Sequence, residues 1–135
     1  MAYEIVEHTA DVGIKASGAT LEEAFRDTTL GLLDISGTWV PNGGEDVRLR
    51  FEGTDAASLL VDWLGEILYL QDARDALVSA IEVERATEEQ VAGVVRLTPR
   101  GDVSPEGTAI KAITYHQLAV ERTGEGWRTT VFVDV

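Results

Sequence analysis

Ile110-Lys111-Ala112-Ile113-Thr114-Tyr115-His116-Gln117-Leu118-Ala119-Val120-Glu121-Arg122, then Thr123-Gly124-Glu125-Gly126, then Trp127-Arg128-Thr129-Thr130-Val131-Phe132-Val133-Asp134-Val135, is two β-branched and aromatic runs around a glycine-rich turn. That pattern predicts an antiparallel hairpin. Just upstream, Val78 to Arg85 and Val91 to Leu97 flank Thr87-Glu88-Glu89 and predict a second hairpin. No helical period interrupts these strands, so a doubly wound parallel fold, which alternates strand and helix, does not fit. The chain reads as an α+β fold, a mainly antiparallel β-sheet packed by two α-helices.

The first half supplies the helices. Tyr3 to Glu7 and Val12 to Ser17 alternate as strands, with Val12, Ile14 and Ala16 on one face. Thr20-Leu21-Glu22-Glu23 has the form of a capping box, in which the glutamate reaches back to the threonine amide. From there Leu21, Ala24, Phe25, Thr28, Leu32 and Ile35 form one helical stripe, and Gly37 ends it. Val47 to Phe51 is a strand. Thr54 or Asp55 caps a second helix running to about Leu70, whose wide apolar face holds Leu59, Leu60, Trp63, Leu64, Ile67 and Leu70. Gly65 in its middle predicts close packing by another element. Asp62 and Glu66, four apart, read as a solvated face. The segments 37–46 and 98–108 read as loops.

The length of 135 residues suits one domain spanning 1–135. The absence of cysteine excludes disulfides, thiolate metal sites and cysteine nucleophiles. No phosphate-binding loop, nucleophile elbow or EF-hand spacing occurs, and two histidines cannot make a three-histidine metal site. The start, Met1-Ala2-Tyr3-Glu4, lacks a basic region before an apolar run, and no stretch approaches about 18 apolar residues. A cytoplasmic protein without membrane contact is expected. The formal net charge is −13. Such a surface repels a phosphate backbone, so direct nucleic-acid binding is not expected; taken alone the charge serves solubility first, and it also favours encounter with a basic protein.

Three places carry candidate chemistry. His8 and Asp11 bracket the turn between the first two strands, where an aspartate also serves by holding turn amides. Asp134 and the main-chain carboxylate of Val135 together offer hard anionic oxygens suited to Ca²⁺, Mg²⁺ or Mn²⁺, or they are an ordinary frayed end of the strand. Simple pairing across 123–126 sets Asp134 opposite Tyr115 or Ile113, on the face of Lys111. There the lysine balances the carboxylates, or it is an exposed lysine guarding a sheet edge.

Glu7-His8-Thr9-Ala10-Asp11-Val12-Gly13 closely resembles the opening signature of the archease family. Leu30-Gly31-Leu32-Leu33-Asp34 resembles that family's first helix and Leu59-Leu60-Val61-Asp62-Trp63-Leu64 its second. Lys111-Ala112-Ile113-Thr114-Tyr115-His116 resembles its late strand, and Trp127 to Val135 its ending. The resemblance implies an activator of the RtcB-type RNA ligase of tRNA splicing and processing, not itself an enzyme. Such an activator promotes guanylylation of the ligase histidine and multiple turnover. The resemblance further implies a divalent metal, Ca²⁺ ahead of Mg²⁺ or Mn²⁺, on Asp11, Asp134 and Val135. Asp11, Lys111 and Asp134 carry the activation, with His8 and Tyr115 as supporting neighbours. The alternative is a chaperone-like modulator of RNA-modifying enzymes with a structural metal. A free-standing metal-dependent hydrolase, with His8 as base, lacks any supporting motif.

Overall fold

Thr20 stops the second strand and starts the first helix. Its Oγ1 accepts the Glu23 amide at 3.1 Å, while Glu23 Oε2 accepts the amide of Ala19, one residue before the expected Thr20, at 2.9 Å. Helix α1 (Leu21–Ser36) ends at Gly37, whose φ of 67° is the left-handed conformation that glycine adopts without a Cβ clash. Helix α2 (Ala56–Ala73) is capped by Asp55, not Thr54: the carboxylate accepts the Ser58 amide at 2.8 Å. It runs three residues past the expected Leu70. The strands are β1 (Tyr3–Glu7), β2 (Asp11–Gly18), β3 (Glu45–Glu52), β4 (Ala76–Ala86), β5 (Gln90–Pro99), β6 (Ala112–Thr123) and β7 (Gly126–Asp134). The computed structural model describes residues 3–7 and 11–135.

The strands form two sheets, a four-stranded one in the order β1-β2-β7-β6 and a three-stranded one in the order β3-β5-β4. Every pairing between these strands is antiparallel. The α+β class is as expected, but the two hairpins part company. β4–β5 takes β3 as its neighbour, whereas β7 inserts between β2 and β6. Residues 38–40 tack onto β4 through a parallel bridge, Trp39 to Val78, with reciprocal bonds of 2.9 and 3.0 Å.

Each helix contacts strands of both sheets, which closes one core. The four-stranded sheet contributes Ile14, Val131 and Val133; the three-stranded sheet contributes Val83, Val91, Val95 and Leu97. Phe25, Leu32, Leu60, Trp63 and Ile67 fill the space between, fully buried. Three buried hydroxyls are accommodated without loss of hydrogen bonding. Trp63 Nε1 donates to Thr29 Oγ1 at 3.0 Å, and that hydroxyl donates to the Phe25 carbonyl at 2.7 Å. Thr28 Oγ1 and Thr129 Oγ1 meet at 2.7 Å, joining α1 to β7. Among the described residues, no helix is long and apolar enough to cross a membrane.

Gly65 overturns its sequence expectation. A Cβ built there meets no atom of the described residues within 4 Å, so close packing is not its reason. The position still weakens the helix by about 1 kcal/mol relative to alanine. Gly93 behaves in the way expected of Gly65: a Cβ there would overlap the Glu82 carbonyl and lie 2.9 Å from the Trp63 ring.

Gly93→Ala is therefore expected to lower stability by about 1–3 kcal/mol, as overpacking does, read from the urea midpoint followed by tryptophan fluorescence. A second expectation concerns alkaline pH. Tyr3 hydroxyl donates to Asp34 Oδ2 at 2.8 Å, tying β1 to α1. That bond, then burial and the neighbouring carboxylate charges, raises the Tyr3 pKa. The fold thus holds the phenol proton more tightly than the unfolded chain does. The resulting stability is complete below a pH of about 10, the ordinary tyrosine value, and is lost as pH rises through the raised value. Tyr3→Phe should be less stable than wild type at neutral pH, and the difference should vanish in strongly alkaline buffer.

Candidate functional site

Strand alternation sorts β2 into two faces. Ile14 and Ala16 are buried against the helices, while Lys15 and Ser17 are exposed on the outer face. Asp11 and Gly13 share that outer parity. On β7, Val131 and Val133 point inward to the core, leaving Phe132 and Asp134 on the outer face. The register then does the decisive step: Asp11 stands directly across from Asp134, and Gly13 across from Phe132. Directly opposed residues of an antiparallel pair hold their Cβ atoms about 4.5–5.5 Å apart. Two carboxylates from opposite ends of the chain thus face each other at one end of the four-stranded sheet.

Lys111 joins them by its backbone. Its amide donates to the Asp134 carbonyl at 2.8 Å. The expected side-chain register is corrected: Ala112, not Tyr115 or Ile113, stands across from Asp134. The pairing obeys the turn from Thr123↔Gly126 as far as Ala119↔Thr130, then resumes at Thr114↔Phe132. Four residues, Tyr115 to Leu118, therefore span a single position of β7, Val131. Gln117 absorbs the excess with a φ of 52°. Simple alternation fails across such an irregularity. Tyr115 is thrown out to solvent at 64% exposure, and the register gives it no place across from Asp134.

The same irregularity aims a residue that sequence reasoning left aside. His116 sits edge-on to Phe132, with ring centroids 5.5 Å apart and an interplanar angle of 70°. Phe132, 2% exposed, in turn lies over Gly13, where a Cβ would come within 2.8 Å of its ring. A glycine inside a strand marks such close approach, and this was the available signal. An apolar shelf of Phe132 and His116 therefore borders the carboxylate pair. Val135 packs its side chain against the core, leaving its main-chain atoms beside Asp134. His8 lies outside the described residues. Among the described residues, no group of three or more histidine, cysteine, aspartate or glutamate side chains gathers to hold a metal, at this sheet end or anywhere else, so the site offers a pair of carboxylates.

The sheet end thus offers hard oxygen donors of one sign and no soft ligand. That donor chemistry fits a calcium- or magnesium-like cation better than zinc or copper. Without a cation the opposed carboxylates repel each other.

Comparison with known proteins agrees with this architecture. The sequence profile described as the archease protein family (MTH1598/TM1083) matches residues 3–135. A protein archease of Methanosarcina mazei is 36% identical over 139 aligned positions, covering 98% of this chain and 95% of that one. A crystal structure from Thermotoga maritima, described as an archease, possible chaperone, superimposes with a TM-score of 0.68 at 27% identity, covering 96% of this chain and 94% of that chain. The solution structure of Methanobacterium thermoautotrophicum protein 1598 has the same fold, with a TM-score of 0.82 at 22% identity over 99% of each chain.

The like-charge pair has a measurable signature. In chelator-treated buffer, Asp11→Asn and Asp134→Asn should each raise stability by roughly 0.2–1 kcal/mol, the range of cross-strand pair effects. The double variant should gain little beyond either single one, because one neutralisation already removes the repulsion. Additive gains in thermal unfolding would show that the two side chains do not interact.

Proposed function

The chain belongs to the archease family, and on that premise we propose that it is a non-catalytic activator of an RtcB-type RNA ligase. In this reading it promotes guanylylation of the ligase histidine and repeated turnover, with a divalent cation, Ca²⁺ ahead of Mg²⁺ or Mn²⁺, held at the sheet end. The supporting observation is the meeting of Asp11, Asp134 and Lys111 from three separate strands or strand approaches. Each has an ordinary role alone; their convergence at one end of the sheet calls for a joint one.

Asp11 and Asp134 would hold the cation, with a main-chain oxygen of Val135. The bound cation supplies positive charge, which guanylyl transfer requires around its phosphates. The chain's own residues act around it. The carboxylates set the donor geometry, Lys111 tempers their charge, and the Phe132–His116 shelf keeps one side of the pair away from water. The net charge of −13 steers the protein towards a basic surface and away from bare RNA. A cation between β2 and β7 would also brace the sheet, which favours a second reading: a chaperone-like modulator of RNA-modifying enzymes in which the metal is structural.

The test is ligation with RNA ends in excess, scored as product per ligase molecule. Asp11→Ala, Lys111→Ala and Asp134→Ala should each lose about tenfold or more of the activation, the usual penalty at metal-supporting positions. Their melting temperatures should stay near wild type. Glu88→Ala, in the β4–β5 turn, should activate fully. Calcium should raise the melting temperature of wild type but not of Asp134→Ala. If the ligase ignores the protein while calcium still stabilises it, the modulator reading takes over.

A further inference from the structure

Helix α2 carries a second stripe, separate from its core face. Val61, Gly65, Leu68, Tyr69 and Asp72 fall at i, i+4, i+7, i+8 and i+11 and line one side of a hollow of about 500 Å³. The segment entering β6, from Ile110 to Ile113, forms the other side. Its floor is apolar: Val61, Leu68, Ile110 and Ile113 are all half-buried, though solvent reaches them. Tyr69 rises at the rim with 63% of its surface exposed, an unusual position for so large an apolar ring. Gly65 lines the helix side of the hollow, and apart from its chain neighbours and the adjacent helix backbone no described atom comes within 4 Å of where its Cβ would be. A helix-weakening residue that nothing within the fold requires is accounted for by something that approaches from outside.

The surroundings specify what approaches. Among the lining residues Asp72 and Lys111 carry opposite charges, and Asp62 and Glu66, next to Val61 and Gly65 on the helix but outside the lining, turn the surroundings negative. Lys111 is also the residue whose amide bonds to the Asp134 carbonyl, and since Ala112 stands across from Asp134, Lys111 lies on the neighbouring face, towards α2, and not on the face of Asp134 as the simple pairing had it. An apolar floor with an acidic rim accepts an apolar side chain flanked by lysine or arginine. We propose that this hollow is the docking seat for a basic segment of the partner ligase, which inserts an apolar side chain over Gly65. This rests on the activator reading above. It separates docking, done by α2, from activation, done at the sheet end.

The two tasks respond differently to mutation. Gly65→Leu fills the hollow and removes a helix-weakening glycine, so it should melt at or above the wild-type temperature. It should raise the protein concentration giving half-maximal ligase activation about tenfold, with the plateau preserved. Tyr69→Ala, at an exposed rim, should shift the same midpoint without unfolding. Asp134→Ala should do the reverse, abolishing the plateau while binding to the ligase, measured by interferometry, persists. Glu66→Lys with Asp72→Lys should slow association and flatten its dependence on salt. Several outcomes overturn the proposal. If wild type neither binds nor activates the ligase, the activator reading fails and the docking seat with it. If wild type activates and both Gly65→Leu and Tyr69→Ala match it at every concentration, the seat is wrong while the activator reading stands. A wild-type dimer made monomeric by Gly65→Leu assigns the hollow to a second copy of this chain.

Discussion

Strand β7 hydrogen-bonds to β2 along one edge and to β6 along the other. Its backbone groups are thereby satisfied from both sides, as a strand buried in the middle of a sheet requires. Its inner face, Val131 and Val133, joins the core, and Thr129 meets Thr28 of α1. Its outer face presents Phe132 and Asp134. Both side-chain sets depend on one register, because a slip of one residue would exchange them. The insertion of β7 also decides which residues become neighbours, since β2 and β6 meet only through it.

The elements whose signals are local were legible in the sequence. Thr20 with Glu23, Gly37, the stripe from Leu21 to Ile35 and the alternation of β1 and β2 each act within a few residues, and each appears where its chemistry puts it. The family resemblance marked Asp11, Lys111 and Asp134, and the sheet brings their backbones together. The relation among them was not legible. Counting back from the 123–126 turn assumes an unbroken ladder, and the three extra residues of β6 between Thr114 and Ala119 break it. No local signal announces that break, as Tyr115 favours a strand and no glycine or proline stands between Thr114 and Ala119. The division into two sheets was equally hidden, because strand partners are chosen by long-range packing. Gly65 and Gly93 illustrate the same limit. Both are glycines within regular elements, and only the three-dimensional neighbours show that one is crowded and the other open.

In the proposed activator role, an acidic surface would keep the protein from competing with the ligase for RNA. The surface ion pairs, such as Arg48 with Glu84 and Arg96 with Asp46, lie on the three-stranded sheet and use up part of the scarce positive charge locally. Exposed pairs of this kind contribute little stability, but they leave the rest of the surface negative. The carboxylate pair, the Phe132–His116 shelf and the hollow beside Lys111 all lie towards one end of the four-stranded sheet. Conjunction of a charged centre, an apolar shelf and a recess suits recognition of a protein surface better than of a small molecule.

The pairing of Asp11 with Asp134 has a consequence in time as well as in space. β2 is among the first strands to leave the ribosome and β7 among the last, so their ladder closes a loop of nearly the whole sequence and forms slowly. Until it closes, β2 has a bare edge and the two carboxylates are strangers. A chain that lacks β7 therefore carries Asp11 without the carboxylate that stands across from it. Only a molecule that has paired β2 with β7 sets the two carboxylates across from each other.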